Sequence, residues 1–179
     1  MNGYSFFAPT KVLFGAGKLG ELGTQKLPGT KALIVTTGGN SAKRFGYLRR
    51  VEAELERAGV AHELFDRIEP NPLRETVNAG GWMARTHGCD FVLALGGGSV
   101  MDGSKGICAV AANPHTDAEG NECLGDIWDF VNGGTALGLP IPNDPLPLVC
   151  VTTTAGTGSE VDAGGVLSCE DNDEKLRLG

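Results

Sequence analysis

The stretch Phe91-Val-Leu-Ala-Leu-Gly96-Gly97-Gly98-Ser99-Val-Met-Asp102 decides the fold class of this chain. Its apolar start is typical of a strand that is buried on both faces. The glycines let the backbone turn tightly and approach a ligand closely, and the helix predicted from residue 99 opens with free amide donors. The stretch therefore predicts a phosphate-binding turn, with a tight turn for helix–sheet packing as the alternative. Ser99 and Asp102 also have the spacing of a capping box, which predicts that they close the start of the helix.

Strands and helices alternate around this stretch. The pattern predicts strands at 31–37, 62–65 and 89–95, and helices at 17–26, 41–58, 73–87 and 99–112. Such alternation indicates an α/β fold, a Rossmann-like parallel sheet with helices on both faces, which binds ligands outside the carboxyl ends of its strands. At the start of the chain, residues 4–7 and 11–14 predict a short N-terminal β-hairpin.

The alternation breaks down after the helix at 99–112. Residues 113–146 are polar or rich in glycine and proline, with a short helical turn at 127–130, and irregular segments of this length are often functional. The pattern predicts further strands at 146–151 and 164–168, a turn at 171–174, and a new strand at 175–179. Since a natural domain rarely stops while entering a strand, this ending predicts a truncated domain.

Composition and charge exclude several function classes. The chain of 179 residues is 41% hydrophobic and 21% charged, which is normal for one soluble globular domain. Its net charge of −7 argues against nucleic acid or an anionic membrane as the main partner. No apolar run approaches the ~20 residues of a membrane span, and the start of the chain does not have the pattern of a signal peptide.

Cysteines and histidines do not form a metal-binding pattern. The five cysteines are widely spaced and include no C-x-x-C pair, so neither a zinc ribbon nor a disulfide framework is indicated. Free cysteines favour a reducing, cytoplasmic location. His62, His87 and His115 are scattered, and such lone histidines are more often surface residues than metal ligands.

A second glycine motif lies near the start of the chain, Gly15-Ala-Gly17-Lys-Leu-Gly20. It matches the G-x-G-x-x-G spacing of dinucleotide-binding loops, which also requires an acidic residue about 20 positions later. Residues 36–40 contain no acid, and the strand before the motif is short. We therefore predict a structural role for these glycines.

The first buried strand ends in a loop that contains Gly38, Gly39 and Ser41. In a doubly wound sheet this loop meets the adenosine ribose, where an acid would bind the 2′-hydroxyl and repel a 2′-phosphate. The loop has no acid, and Lys43 and Arg44 follow it, which favours NADP over NAD. A plain loop before an N-cap at Ser41 is the alternative.

A polar loop, Thr152–Glu160, follows the strand at 146–151. Its hydroxyls and glycines could line a pyrophosphate or nicotinamide pocket, and an ordinary polar loop is equally compatible with the pattern. Neither a nucleophilic triad nor a Walker lysine motif is present.

Four ordered motifs together resemble the iron-containing (group III) alcohol dehydrogenase family. They are Pro9–Gly17, Glu69–Pro72, Gly96–Lys105 and Thr153–Glu160. The resemblance covers the whole chain, and within the family it is greatest to the NADPH-dependent butanol dehydrogenase and aldehyde reductase branch.

The resemblance implies that residues 1–179 are a dinucleotide-binding domain. It also implies that this domain is truncated before a helical C-terminal domain, where one Asp and three His hold iron or zinc. The implied reaction is hydride transfer between NADP or NAD, leaning to NADP, and a small primary alcohol or aldehyde. No metal ligand or catalytic residue is then expected in this chain, which alone would bind its cofactor weakly and be inactive. A homo-oligomer is possible.

The resemblance further implies a role for each cofactor-binding residue. The pyrophosphate would bind Gly97, Gly98 and Ser99, and the adenosine ribose would lie at Gly38, Gly39 and Ser41. Other contacts to phosphates and ribose would come from Thr152, Thr153, Thr154 and Thr157. Asp102 would lie near the nicotinamide, and Lys175 would hydrogen-bond a ribose.

Two rival hypotheses remain open from the sequence. One is a dehydroquinate-synthase-like or glycerol-dehydrogenase-like enzyme half, which would share the fold and the glycine-serine-aspartate motif. The other is a stand-alone, non-catalytic nucleotide-binding module.

Overall fold

A four-stranded parallel sheet lies at the centre of the structure, a computed structural model that describes residue 3 and residues 8–179. Its strands are β1 (Lys31–Thr37), β2 (Ala61–Ile68), β3 (Phe91–Gly96) and β7 (Leu148–Thr152), in the order β2-β1-β3-β7. All three pairings are parallel, so the carboxyl ends of the strands meet at one edge. The predicted parallel sheet is confirmed.

Helices cover both faces of this sheet, as the alternating pattern predicts. They are α1 (Ser41–Arg44), α2 (Tyr47–Arg57), α3 (Arg74–Thr86) and α4 (Gly98–Ala112). Side chains of β3 point alternately to the two faces: Val92 and Ala94 pack in the core with α3 and α4, and Leu93 and Leu95 pack in the core with α2. Burial of every residue of β3 explains why its sequence is continuously apolar.

The predicted helix at 41–58 is two helices. Gly46 separates α1 from α2 in a left-handed conformation (φ 72°), which ends one helix and starts the next. Leu48, Val51 and Leu55 form the predicted buried face of α2, whereas Phe45, predicted on the same face, is 62% exposed. Gly59 follows α2 with φ 71° and ends the helix, as predicted.

The amino-terminal part of the chain differs from the predictions. The helix predicted at 17–26 is a 3-10 helix, Lys18–Thr24. The second strand of the predicted β-hairpin, residues 11–14, is not part of any described strand, and the first, residues 4–7, lies outside the described residues. A strand needs a partner for its backbone amides and carbonyls, which the apolar pattern alone does not supply.

Small strands complete the fold beside the main sheet. β4 (His115–Thr116) and β5 (Glu122–Cys123) form a short hairpin, and β6 (Val131–Asn132), β8 (Gly165–Cys169) and β9 (Glu174–Leu178) form an antiparallel sheet of order β6-β9-β8. The strand predicted at 175–179 is confirmed as β9. Within the described part of the chain, no helix has the length and apolarity that crossing a bilayer requires.

Asp126 anchors the irregular segment 113–146 to α3. Its carboxylate accepts hydrogen bonds from Arg74 Nε at 2.9 Å, from Asn78 Nδ2 at 3.0 Å and from the Trp128 amide at 3.0 Å. Burial raises the pKa of Asp126, but the hydrogen bonds from Arg74, Asn78 and the Trp128 amide outweigh burial and lower the pKa to about 2. The ionised carboxylate therefore stabilises the contact between segment 113–146 and α3.

Replacing Asp126 should change how stability depends on pH. A folded-state pKa of about 2 lies below the unfolded value of about 4, so the contribution of Asp126 is complete above pH ~4 and is lost as the pH falls to ~2. We expect Asp126→Asn to lower the free energy of unfolding at pH 7 by about 2 kcal/mol and to flatten its fall between pH ~4 and ~2. Urea denaturation across this range measures both, with the exposed Asp144→Asn as control. If the free energy of unfolding falls equally steeply with pH in Asp126→Asn and in wild type, the proposed role of Asp126 is contradicted.

Candidate functional site

The carboxyl ends of β1, β3 and β7 border a cleft of about 390 Å³. Its lining comes from these strand ends and from the start of the α1–α2 segment. The lining residues are Thr36, Thr37, Ser41, Ala42, Phe45, Tyr47, Leu95, Gly96, Gly97, Thr153 and Thr154. The cleft is therefore at the place where parallel α/β sheets bind ligands, and it explains why the aromatic ring of Phe45 is not in the core.

The glycine-rich junction between β3 and α4 forms the floor of this cleft. Gly97 is the N-cap of α4, and no side chain caps the first amides of the helix. A Cβ atom at Gly97 would lie 3.1 Å from Thr154 Oγ1, and one at Gly98 would lie 3.4 Å from Thr157 Cγ2. The loop after β7 thus lies close to the junction, and a side chain at Gly97 would fit only tightly against Thr154. Free amides at a helix start suit an anion.

The predicted capping box is wrong. Because α4 begins at Gly98, Ser99 and Asp102 are both inside the helix, where Asp102 is too far along to bond the first amides. Ser99 Oγ instead accepts a hydrogen bond from the Asn71 amide at 3.4 Å. The Asp102 carboxylate accepts hydrogen bonds from Ser159 Oγ at 2.6 Å and from the Val166 amide at 3.0 Å.

A second cleft, of about 300 Å³, lies on the other side of the junction. It is lined by the first turns of α4, the loop after β7 and the start of β8. The lining residues are Gly98, Asp102, Thr157, Ser159, Asp162, Gly164, Gly165, Val166 and Arg177. Since Gly97 lines the first cleft and Gly98 the second, the two clefts adjoin at the start of α4.

Lys105 connects α4 to the loop that lines the second cleft. Its side chain is only 9% exposed, and Nζ donates hydrogen bonds to Ser159 Oγ at 2.8 Å and to the Gly164 carbonyl at 2.5 Å. Nζ also lies 3.7 Å from Asp102 Oδ1. The buried cation is thereby balanced by a carboxylate one helical turn earlier. The sequence motif contains Lys105, but nothing in it shows that the lysine reaches the loop after β7.

The remaining predicted residues of the β7 side are close to the junction. Thr152 pairs with Gly96 in the register of β3 and β7, and the Thr153 amide donates to the Gly96 carbonyl at 2.9 Å. Thr152 Oγ1 donates to the Thr154 carbonyl at 3.1 Å, which holds the turn of the loop.

The loop after β1 borders the first cleft. Thr37 and Ser41 line the cleft, and Gly38 and Gly39 connect them. Ser41 is the first residue of α1, whose N-cap is Asn40, so the alternative of Ser41 as an N-cap is not supported. The Gly38 amide donates to the Ile68 carbonyl at 3.3 Å, which fixes the loop against the end of β2.

Lys175 lies beside Ser99 through Asn71. Lys175 Nζ donates to Asn71 Oδ1 at 2.8 Å, and the Asn71 amide donates to Ser99 Oγ. Neither Ser99 nor Lys175 lines the two clefts themselves. The structure therefore brings both residues together near the start of α4, outside the lining of the two clefts.

The basic residues after Ser41 are engaged. Lys43 Nζ forms an ion pair with Asp66 Oδ2 at 2.5 Å, and Arg44 lies 5.8 Å from the centre of the Phe45 ring. The Lys43 ammonium holds the pKa of the Asp66 carboxyl below its usual range through their hydrogen bond. An acid is thus present near this loop, supplied by β2, where the sequence of the loop itself has none.

The upstream glycine motif leads into the 3-10 helix Lys18–Thr24 and not from a strand into an α-helix. Gly17 is the N-cap of this helix with φ 80°. None of the motif's residues lines either cleft, which agrees with a structural role.

The described residues do not fit a metal site of one Asp and three His. Only one cluster of three His, Cys, Asp or Glu ligand atoms within 4.8 Å occurs in the described part of the chain, and its members are Glu75, Cys169 and Asp171. It contains no histidine, and His115 instead bonds Asp129 at 2.6 Å.

The chain is an α/β protein with an uncapped, glycine-rich strand–helix junction between two clefts, at the sheet edge where this class of protein binds ligands. The comparisons with known proteins narrow this class. The model of the iron-containing alcohol dehydrogenases matches residues 9–179, and the chain belongs to this family.

Two curated relatives illustrate the similarity. The chain is 37% identical over 180 residues to a protein named probable NADH-dependent butanol dehydrogenase 1 of Bacillus subtilis, covering 100% of this chain and 42% of the relative. It is 36% identical over 175 residues to the NADPH-dependent aldehyde reductase YqhD of Escherichia coli, covering 98% of this chain and 41% of the relative. The chain therefore spans less than half the length of these relatives.

Solved structures show the same relationship. NADH-dependent butanol dehydrogenase A of Thermotoga maritima matches with a TM-score of 0.86 and 28% identity, over 100% of this chain and 42% of that one. The archaeal Red Sea brine pool alcohol dehydrogenase ADH/D1 matches with a TM-score of 0.86 and 36% identity, over 99% of this chain and 43% of that one. The observed fold is thus that of the family.

Removing the buried ammonium of Lys105 should destabilise the second cleft. Lys105→Met leaves Ser159 and the Gly164 carbonyl without their donor, so we expect the free energy of unfolding to fall by about 1–3 kcal/mol. Urea denaturation measures the loss, and the exposed Lys26→Met is the matched control, expected to change stability by less than about 0.5 kcal/mol. Equal stability of Lys105→Met and Lys26→Met would show that the network contributes nothing.

Proposed function

We propose that residues 1–179 form the nucleotide-binding domain of a metal-dependent alcohol dehydrogenase. The complete enzyme would transfer hydride between NAD(P)(H), with NADP preferred, and a small primary alcohol or aldehyde. The observation that carries this proposal is the uncapped start of α4 at Gly97–Gly98. It is covered by the loop after β7 and is open to a cleft on each side. Family membership supports the reaction class.

The start of α4 would hold the pyrophosphate. In this proposal the amides of Gly97, Gly98 and Ser99 donate to phosphate oxygens, and the helix dipole favours the negative charge. In the loop after β7, Thr154 lies close to Gly97 and Thr157 lies close to Gly98. Their hydroxyl groups would add donors from the opposite side of the phosphates. Thr152 and Thr153 shape this loop.

The first cleft would take the adenosine. Gly38, Gly39 and Ser41 lie along its edge or within it, and the rings of Phe45 and Tyr47 line it, so that an adenine would have apolar surface to pack on. The elongated space across the junction then suits a ligand with bases at both ends and phosphates in the middle.

The second cleft would take the nicotinamide riboside. Asp102 lies in this cleft, held by Ser159 and Lys105, and Lys175 would donate to a ribose hydroxyl from beside Ser99. When bound, the nicotinamide supplies the carbon that accepts or donates hydride. The side chains of this chain would bind the cofactor, orient it and exclude water from one face.

The metal ligands would come from the part of the enzyme beyond this domain. Iron or zinc is expected in a member of the iron-containing family, and the curated relatives are more than twice as long as this chain. We propose no catalytic residue within 1–179. A cytoplasmic location and a homo-oligomeric complete enzyme are part of the same proposal.

The domain should therefore bind the cofactor without catalysing hydride transfer. We expect that the purified 179-residue chain neither reduces butanal with NADPH nor oxidises butanol with NADP, because half of the reaction site is lacking. Absorbance at the NADPH band, followed with added Fe²⁺ or Zn²⁺, measures this. Turnover by the chain alone would contradict the proposed division of the enzyme.

A negative charge at the start of α4 should weaken cofactor binding. We expect wild type to bind NADPH more tightly than NADH, and Ser99→Glu to weaken both by about tenfold or more because its carboxylate repels the pyrophosphate. Gln25→Glu, in the 3-10 region, adds the same charge elsewhere and is the control. Calorimetric titration with each nucleotide measures the affinities. Unchanged binding by Ser99→Glu would place the phosphates elsewhere.

A further inference from the structure

The ion pair between Lys43 and Asp66 lies beside the loop that borders the first cleft, and Lys43 follows Ala42, which lines it. Lys43 belongs to α1, which follows β1, and Asp66 belongs to β2, the neighbour of β1 in the sheet. A Cβ atom at Gly38 would lie 3.4 Å from the Asp66 carbonyl oxygen, so the backbone of Asp66 contacts the loop of Gly38–Ser41. The pair therefore lies where that loop meets the next strand.

Both side chains of the pair remain accessible. Their exposed fractions are 47% for Lys43 and 35% for Asp66. A charged ligand group at the loop could therefore reach the Lys43 ammonium, but only in competition with the Asp66 carboxylate, which already holds it at 2.5 Å.

The two nicotinamide cofactors differ at this loop by one phosphate. A 2′-phosphate carries close to two negative charges and gains from an unpaired ammonium, whereas a 2′-hydroxyl is neutral. Asp66 cancels the charge of Lys43 and repels a phosphate that approaches it. Its carboxylate therefore opposes binding of a 2′-phosphate and leaves a 2′-hydroxyl almost unaffected.

Arg44 and Arg67 are the other cations near the pair. Arg44 lies against the Phe45 ring and Arg67 against the Phe65 ring, at 5.8 Å and 5.6 Å from the ring centres. Their guanidinium groups add positive charge near the loop, and Lys43 remains paired with Asp66.

We propose that Asp66 is a specificity-determining residue that limits the preference of this cleft for a 2′-phosphorylated nucleotide by holding Lys43 in an ion pair. This inference rests on the proposed function of the cleft as an NAD(P) site. It assigns part of the discrimination between NADP and NAD to a residue of β2. The sequence alone predicts a preference for NADP from the loop after β1.

The test uses the adenosine halves of the two cofactors, 2′,5′-ADP and 5′-AMP, which differ only in the 2′-phosphate. Calorimetric or NMR titration of the 179-residue chain gives the ratio of their affinities. We expect Asp66→Asn to tighten 2′,5′-ADP by about three- to tenfold, as release of one exposed competing charge allows, and to change 5′-AMP by less than about twofold. Lys43→Met should weaken 2′,5′-ADP by a similar factor and spare 5′-AMP.

Glu63→Gln is the matched control. The pair of Lys31 and Glu63 also joins β1 to β2, with Nζ 3.0 Å from Oε1 and exposed fractions of 30% and 33%, but at the amino end of β1. Its removal should leave the affinity ratio unchanged. The advantage of Asp66→Asn should also shrink in high salt, because the effect is electrostatic.

The outcomes separate the inference from the function on which it rests. If wild type binds 5′-AMP and Asp66→Asn leaves the ratio unchanged, or shifts both ligands equally, the inference is overturned while the nucleotide site stands. If wild type binds neither ligand at millimolar concentration, the proposed function fails and the inference fails with it. A raised ratio in Asp66→Asn together with a lowered ratio in Lys43→Met supports both.

Discussion

The close packing of α4 against β3 and α3 is the constraint on which the rest of the structure depends. A Cβ atom at Gly96 would lie 2.5 Å from Val100 Cγ2, one at Gly106 would lie 2.7 Å from Val77 Cγ1, and one at Gly81 would lie 2.7 Å from Val110 Cβ. Glycine at these contacts lets the helix lie closer to its neighbours than any side chain would permit. The start of α4 is thereby held at the carboxyl edge of the sheet.

That position determines what the site can do. α4 is buried along most of its length, and no side chain caps its first amides at Gly97 and Gly98, where the two clefts adjoin. The loop after β7 closes over them, and the buried Lys105 holds this loop at Ser159 and Gly164. An uncapped helix start, a polar loop beside it and two adjoining clefts thus go together with one packing arrangement.

Charge beside the first cleft is arranged by contacts between elements that are distant in sequence. Lys43 lies just beyond the loop after β1, but its partner Asp66 comes from β2, 23 residues further along. The environment of a bound ribose would therefore depend on two strands together. The relatives of this chain include proteins named for NADH and for NADPH.

The sequence by itself determined the α/β class, most of the strands and helices, and the glycine junction, because hydrophobic periodicity and glycine clusters are local properties of the chain. It also led to the right family, through four motifs in order. Only the tertiary structure decided that Gly46 breaks the helix at 41–58 and that Ser99 and Asp102 bond Asn71 and Ser159 in place of capping α4. It also decided that Lys105 bonds Ser159 and Gly164, which line the second cleft, and that Asp66 pairs with Lys43. These outcomes depend on partners that the fold brings together from distant positions, and no local pattern specifies such partners.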